Sequence, residues 1–302
     1  MKIAIIGAGA MGSIYGGKLS SKNDVSLIDT NEKVVNIINS DGLKIDEENK
    51  TNIYKPKAYI NSEKIGEVDL LIVFVKAIYS KAALDQNKNL IGKNTYLMTL
   101  QNGAGHQDLL MNYVSEDKII IGTTEDVGKV IDFGHIARSG KGKTNIGFLN
   151  QVNEDFLSKL INSFNESGFD THFHKNINQL IWNKLFINTT LSATTALLQC
   201  EIGYLGKCKN ALNMVEQLLD ESIAVATSLN LKANKALLME EINAVIKNAS
   251  KGVTSICADI RNSRKTEVDT ISGAVVKEGE KHQIPTPTHN FVVNQIHALE
   301  AK

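Results

Sequence analysis

Lys2-Ile-Ala-Ile-Ile6 runs without a break into Gly7-Ala-Gly9-Ala-Met-Gly12, and this stretch decides the reading of the first half of the chain. A short run rich in β-branched apolar residues predicts a buried strand, and the segment that follows the glycines, to about residue 21, is compatible with a helix. Between the two, Gly7 permits a tight turn and Gly9 presents no side chain to an approaching pyrophosphate. Gly12 lets the helix pack closely on the strand, with the helix N-terminus facing the phosphates. Ala10 and Met11, inside the motif, belong to the same phosphate-facing segment. Glycines recur by chance, so the motif gains weight from its strand-turn-helix setting and from Asp29, which closes the next apolar segment 22 residues after Gly7.

Working outward, apolar runs at 25–28, 69–75 and 95–100 alternate with helix-compatible segments, which implies a parallel, doubly wound sheet of Rossmann type. From 122 to 147 the texture becomes glycine-spaced β, read as a hairpin at the edge of this domain. A helix near 152–167 and a strand near 169–173 follow. Segments at 177–198, 211–229, 236–250 and 255–280 then carry apolar residues three and four apart. The expected fold is therefore α/β, with an N-terminal dinucleotide-binding Rossmann-type domain (1–175) and a C-terminal all-helical substrate and catalytic domain (176–302). No Pro-rich or Ser/Gly-rich linker separates the halves, so a helix is expected to join them and leave a cleft.

Composition narrows the class. The 302 residues carry 33 Lys plus Arg against 33 Asp plus Glu, which argues against a strongly basic nucleic-acid binder. With 42% apolar and 22% charged residues the chain reads as globular rather than disordered. No apolar run is long enough to span a membrane, and the glycines after Ile6 break any signal-peptide pattern. Cys200, Cys208 and Cys257 fit neither a disulfide framework nor a zinc site, which makes the cytoplasm the simplest compartment. No metal is expected: His135, His172, His174, His282, His289 and His297 lack ligand spacing and read as surface or capping residues, as does His106 beside Asn102-Gly103. Lys141 and Lys143 read as a hairpin tip.

Asp29 bears on the cofactor. A carboxylate at that strand end accepts hydrogen bonds from ribose hydroxyls and repels a 2′-phosphate, so NADH is favoured, with NADPH the alternative if Lys33 or Lys76 supplies positive charge. In the second half, Lys184, Asn188 and Ser192 recur every four residues and form a polar stripe flanked by Trp182, Leu185, Phe186 and Leu191. A stripe so flanked is unlike a solvated face. A Lys ammonium there can polarise a carbonyl oxygen and supply its proton.

These residues resemble the ketopantoate reductase (2-dehydropantoate 2-reductase) family along essentially the whole chain. The resemblance rests on Gly7-x-Gly9-x-x-Gly12, Lys76, Asn102-Gly103, Gly122-Thr-Thr124, Lys184-Leu-x-x-Asn188, Ser255 with Asp259, and Arg264-x-Thr-Glu267-x-Asp269 followed by Gly273. It implies hydride reduction of a small 2-keto acid, on the path to pantothenate and coenzyme A. Lys184 would be the general acid, and Glu267, Asn188 and Ser255 would hold the substrate. Asn102 would lie near both nicotinamide and substrate, and Lys76 near the cofactor. The sequence departs from the family at Ser192 and Gly252, where many members have Asn. That leaves open a paralogue acting on another 2-keto acid; a non-catalytic dinucleotide sensor is the rival from a different class. The expected partners are a small-molecule 2-keto acid and a second copy of the chain in a homodimer, with no nucleic acid and no membrane. Ser255 and Glu267, 12 residues apart, would not share a stripe on an uninterrupted helix.

Overall fold

The computed structural model describes residues 1–302, which divide into two compact units: Met1–Gln101 with His106–Ile177, and Asn102–Gly105 with Asn178–Lys302. In chain order the first unit contains β1 (Lys2–Ile6), α1 (Ala10–Leu19), β2 (Asp24–Ile28), α2 (Glu32–Asp41), β3 (Leu43–Glu47), β4 (Lys50–Tyr54), β5 (Lys57–Tyr59) and β6 (Leu70–Val73). It continues through α3 (Ser80–Gln86), β7 (Tyr96–Thr99), α4 (His106–Leu110), β8 (Ile119–Thr124), β9 (Val127–Asp132), β10 (His135–Ser139), β11 (Lys143–Phe148), α5 (Glu154–Glu166) and β12 (Asp170–Phe173).

The main sheet has the order β12-β11-β8-β7-β6-β1-β2-β5. β5, β2, β1, β6, β7 and β8 run parallel, and β11 pairs antiparallel with β8 and parallel with β12. The continuous apolar runs of β1 and β6 have no polar face because both faces are covered, and Ile3, Ile5, Leu70 and Ile72 have no exposed surface. Chain order reverses between β1 and β6. In open α/β sheets that reversal opens a crevice at the carboxyl ends of the strands, where the glycine turn lies.

The region 122–147 differs from the single edge hairpin expected. β8 and β11 pair within the main sheet, inboard of β12, while β9 and β10 leave it to join a second sheet of order β4-β3-β10-β9. Residues 140–142 therefore cross from one sheet to the other and are not a hairpin tip, and Lys141 there pairs with Glu48 at 2.8 Å. A buried ionic cluster fastens the small sheet. Lys18 of α1 and Arg138 of β10 share Glu47 of β3 at 2.9 and 2.8 Å, and Arg138 also holds Asp126 at 2.6 Å. Burial opposes ionisation of Glu47, but its hydrogen bonds from Lys18 and Arg138 outweigh that and keep its pKa below the ordinary carboxylate value.

The second unit is helical: α6 (Ile177–Leu198), which begins at the end of the first unit, then α7 (Ile202–Leu205), α8 (Lys209–Ser228), α9 (Lys235–Asn248), α10 (Ser255–Arg261), α11 (Ser272–His282) and α12 (Pro287–Glu300). Its core gathers Trp182 and Phe186 with Val215, Leu218, Leu219, Ile242, Ile271 and Ile296. The apolar periodicity at 255–280 is not one helix. α10 stops at Arg261, Ser263 takes a left-handed conformation at φ 50°, and a 3₁₀ turn at Val268–Thr270 precedes α11. α12 opens with Pro287 in its first turn, where a missing N–H costs nothing. His289 is not at the surface. It has no exposed area, and its Nε2 lies 2.9 Å from both the Leu218 carbonyl and the Ser222 hydroxyl. No helix is long and apolar enough to cross a membrane.

Candidate active site

In the first unit the glycine turn is built as its spacing predicts. Gly7 has φ +101°, and a Cβ there would meet the Val75 nitrogen at 2.9 Å; a Cβ on Gly12 would collide with the Gly7 carbonyl. At Gly9 a Cβ would meet no protein atom within 4 Å. Gly7 and Gly12 are thus demanded by the protein's own backbone, while Gly9 leaves open space beside the start of α1. Gly9 is the N-cap of α1, without a side-chain cap and without acidic residues in the first turn. The N–H groups of Ala10, Met11 and Gly12, which precede the first i−4 bond from Ser13 to Gly9, point their partial positive charge toward that space.

Asp29 fixes the turn from the neighbouring strand. Its Oδ2 accepts from the Ala8 N–H at 2.8 Å and its Oδ1 from the Asn31 N–H at 2.9 Å, while the Gly7 N–H donates to the Ile28 carbonyl at 2.8 Å. Each carboxylate oxygen retains a lone pair for another donor. Beside it opens a cavity of about 270 Å³ whose walls include Gly7, Asp29, Thr30, Ile60, Tyr79 and Asn87. Val75 and Tyr79 line it, but Lys76 between them does not, and no Lys or Arg is among its lining residues. Lys33, the other basic candidate, lies exposed in the first turn of α2, where its N–H donates to Asn31 at 3.0 Å. The open space at Gly9, the uncapped helix start and the ribose-type carboxylate fit a dinucleotide.

In the second unit, α6 carries Lys184 and Asn188, both half-buried, and Ser192, which is buried. Their flanks, Trp182, Leu185, Phe186 and Leu191, are core residues, so the stripe is set in apolar surroundings. The helix satisfies its threonines internally. Thr190, Thr194 and Thr195 donate to carbonyls four residues back at 2.7–2.9 Å, so these hydroxyls are spent within the helix itself. Thr195 also lies 2.7 Å from the hydroxyl of Thr254, the N-cap of α10, and thereby ties the start of α10, with exposed Ser255, to α6.

Glu267 is half-buried and caps the 3₁₀ turn, where its carbonyl accepts from the Thr270 and Ile271 N–H groups. Ser255 and Glu267 thus reach the unit from separate elements, which answers the spacing problem. The same turn receives Asn102. The Ala104 N–H donates to the Thr270 carbonyl at 2.9 Å, and the Thr270 hydroxyl donates to the Asn102 carbonyl at 3.3 Å. Glu300 secures the approach to Glu267 by accepting from the Thr266 N–H at 2.8 Å and its hydroxyl at 2.7 Å, and Arg264 pairs with Asp259 at 3.1 Å. Thr270, Thr254 and Glu300 escaped the sequence reading because their positioning roles come from contacts between distant segments. Gly252, one of the two departures, is a packing glycine: a Cβ would approach the Ala249 carbonyl to 2.9 Å and Ile202 to 3.2 Å.

The profile described as Ketopantoate reductase PanE/ApbA matches residues 3–151, and that described as its C-terminal part matches residues 176–300. The chain belongs to the ketopantoate reductase family. Among its relatives in that family, the 2-dehydropantoate 2-reductase of Streptococcus pyogenes serotype M3 is 32% identical over 307 residues, covering 100% of this chain and 98% of the relative. The enzyme of the same name from Lactococcus lactis subsp. lactis is also 32% identical, over 99% of this chain and 98% of its own. Among solved structures, D-mandelate dehydrogenase with NADH and anilino(oxo)acetate superposes with a TM-score of 0.91 at 32% identity, over 100% of this chain and 99% of that one. The ketopantoate reductase family therefore sits close in structure to a dehydrogenase of a different 2-hydroxy acid.

Proposed function

We propose that this chain reduces 2-dehydropantoate to pantoate, with residues 1–175 as the dinucleotide domain and residues 176–302 as the substrate domain. Bound nicotinamide dinucleotide supplies a hydride for the keto carbon. Lys184 hydrogen-bonds the keto oxygen and delivers the balancing proton to it. Asn188, Ser192 and Ser255 orient the substrate, and Glu267 accepts from its hydroxyl. Gly7, Gly9, Ala10, Met11 and Gly12 hold the pyrophosphate, Asp29 the adenosine ribose, and Asn102 and Lys76 the nicotinamide-facing end. The observation that carries the reading is the Thr270 link, which fixes Asn102 to the turn that starts at Glu267, in the unit that presents Lys184 on α6.

NADH is the preferred donor in this reading, because Asp29 faces a cavity with no lysine or arginine in its walls. The D-mandelate dehydrogenase likeness and the loss of pocket Asn at Ser192 and Gly252 favour a second reading, reduction of a different branched or aromatic 2-keto acid. Steady-state kinetics of the purified protein separate the two. A kcat/KM for ketopantoate well above that for phenylglyoxylate supports the first reading, and the reverse order supports the second. No turnover of either with NADH or NADPH would reject both in favour of a dinucleotide sensor.

A further inference from the structure

The backbone ladder between the parallel strands β6 and β7 ends at the pair Val73 and Thr99. Beyond it, at the carboxyl ends of the strands, the side chain of Gln101 takes over. Its Nε2 donates to the Val75 carbonyl and, at 2.9 Å, to the hydroxyl of Ser80 at the start of α3. Its Oε1 accepts from the Thr99 hydroxyl at 2.8 Å, and that hydroxyl in turn accepts from the Gln101 N–H at 3.2 Å. Both amide hydrogens and the amide oxygen are therefore engaged, and the orientation is fixed, because the Val75 carbonyl can only accept. Thr99 and Ser80 are buried, which strengthens these bonds and makes an unmade one costly.

What the amide holds is the Val75–Lys76 peptide. On its other side this segment abuts the glycine turn. The Phe74 N–H donates to the Ile6 carbonyl at 2.9 Å, and the Val75 nitrogen is the atom that a Cβ on Gly7 would meet at 2.9 Å. Val75 lines the cavity beside Asp29, and the Lys76 carbonyl accepts from the Tyr79 N–H at 2.8 Å. The peptide is thus gripped between the ends of β1 and β7, with Gln101 supplying the tie to β7. Asn102 is the next residue along the chain, so the same amide also fixes the point from which Asn102 leaves that strand. Hydride transfer is sensitive to such placement, since a displacement of about 1 Å costs on the order of 10²-fold in rate. The contacts of Asp29 with the glycine turn, by contrast, involve no atom of Gln101.

We infer that Gln101 is a positioning residue for hydride transfer: its side-chain amide holds the Val75–Lys76 peptide and the base of Asn102 where the nicotinamide end of the cofactor is received. The inference rests on the reductase reading and adds to it a residue that acts through its neighbours.

The test compares full-length wild type with two variants. Gln101→Met keeps the length of the side chain and removes the amide, whereas Gln101→Glu keeps an acceptor for Thr99 but turns a carboxylate toward the Val75 carbonyl. Each protein is measured for kcat and KM with the 2-keto acid that wild type turns over, and for affinity toward ADP-ribose, which lacks the nicotinamide. The fluorescence anisotropy of bound NADH, whose emission comes from the reduced nicotinamide, is read alongside. Gln101→Met should lower kcat about 10- to 100-fold and KM for NADH far less, with ADP-ribose affinity within about 2-fold of wild type. The anisotropy of bound NADH should fall, and Gln101→Glu should be at least as slow as Gln101→Met. If Gln101→Met does not fold, Ser80→Ala carries the test, with a loss in kcat of about 2- to 10-fold, the worth of one hydrogen bond, and ADP-ribose affinity again kept. A kcat near wild type in folded Gln101→Met would overturn the inference while leaving the reductase reading intact. ADP-ribose affinity that falls in step with kcat would also overturn it, and would make Gln101 a structural support of the whole sheet end. Failure of wild type to bind ADP-ribose would reject the dinucleotide reading, and binding without turnover of any 2-keto acid would reject the reductase reading; either result takes the inference with it.

Discussion

Lys184 is set among core residues on α6, and the chemistry assigned to it is proton delivery. Lys184→Ala should therefore lower kcat by about 10² to 10⁴, the worth of a positioned general acid, with NADH affinity almost unchanged. Single-turnover rates together with NADH fluorescence titration check this, and a kcat near wild type under chemistry-limited conditions would remove Lys184 from the role. Asp29 makes a separate prediction, because its carboxylate serves both the Ala8 N–H and the ribose position. Replacing Asp29 with Ala and Thr30 with Arg should raise kcat/KM for NADPH relative to NADH, by an amount that falls as added salt screens the new charge. Side-by-side kinetics with both cofactors at two ionic strengths read the outcome. If the parent already prefers NADPH, basic groups outside the cavity wall govern the choice.

At the scale of elements, what could be read from sequence was whatever depends on neighbours along the chain. β1, the glycine turn and α1 follow from local sterics, and α6 is legible at 177–198 as a long segment without Gly or Pro that is apolar around most of its surface, rather than by an amphipathic repeat. The second sheet was hidden for the opposite reason. β4 is Lys-Thr-Asn-Ile-Tyr, largely exposed, so burial imposes no pattern on it, and its hairpin with β3 is closed by Glu48 and Asn49, both left-handed although neither is glycine. The 255–280 segment kept a helical repeat across two breaks because both flanking helices pack on one core. Within the site, Gly7, Gly12 and Asp29 were legible, whereas the partnership of Asn102 with the Glu267 turn requires residues 168 apart to meet. Gly103 shows how tightly that meeting is made. It has φ +100°, and a Cβ would strike the Thr270 carbonyl and side chain, while Gly105, at φ +84°, faces open space. Gly105→Ala should cost only backbone strain, roughly 1 kcal/mol, whereas Gly103→Ala should lower stability by about 2–4 kcal/mol and also depress kcat/KM by displacing Asn102. Chemical denaturation and kinetics on the two variants test the difference, and equal effects would mean that the Thr270 contact does not position the loop.

Over the molecule as a whole, the titrating groups with resolved shifts in the helical unit set a pH optimum for stability. Burial, the dominant influence on His289, pushes its pKa down to about 4 against the Leu218 carbonyl and Glu221. The ring is neutral in the fold with Nε2–H directed at Leu218, and Nδ1 is buried without a partner, so protonation would place a charge where nothing receives it. An unfolded histidine takes up its proton near pH 6.5, so the stability His289 contributes is complete above 6.5 and is lost as pH falls toward 4, about 3 kcal/mol in all. His297 acts with the opposite sign. Burial works against its charge, but Glu300 and Asp269 raise its pKa, so its contribution is present below the unfolded value and is lost as pH rises through the folded one. That part is small and salt-sensitive because the side chain is 43% exposed. Glu300 adds a further acid loss. Burial opposes its ionisation, yet Thr266, His297 and Lys265 bring its pKa to about 2, so its stabilisation fades as pH falls from the ordinary carboxylate value toward 2. Together these groups place maximal stability near pH 6.5, with a steep acid side and a shallow alkaline one. Urea unfolding between pH 4 and 8 should show this profile, and His289→Gln should flatten the acid side between pH 6.5 and 4 even if it lowers stability overall. An acid limb equally steep in a folded His289→Gln variant would mean that groups other than His289 carry the loss between pH 6.5 and 4, since the Glu300 loss falls below the ordinary carboxylate value.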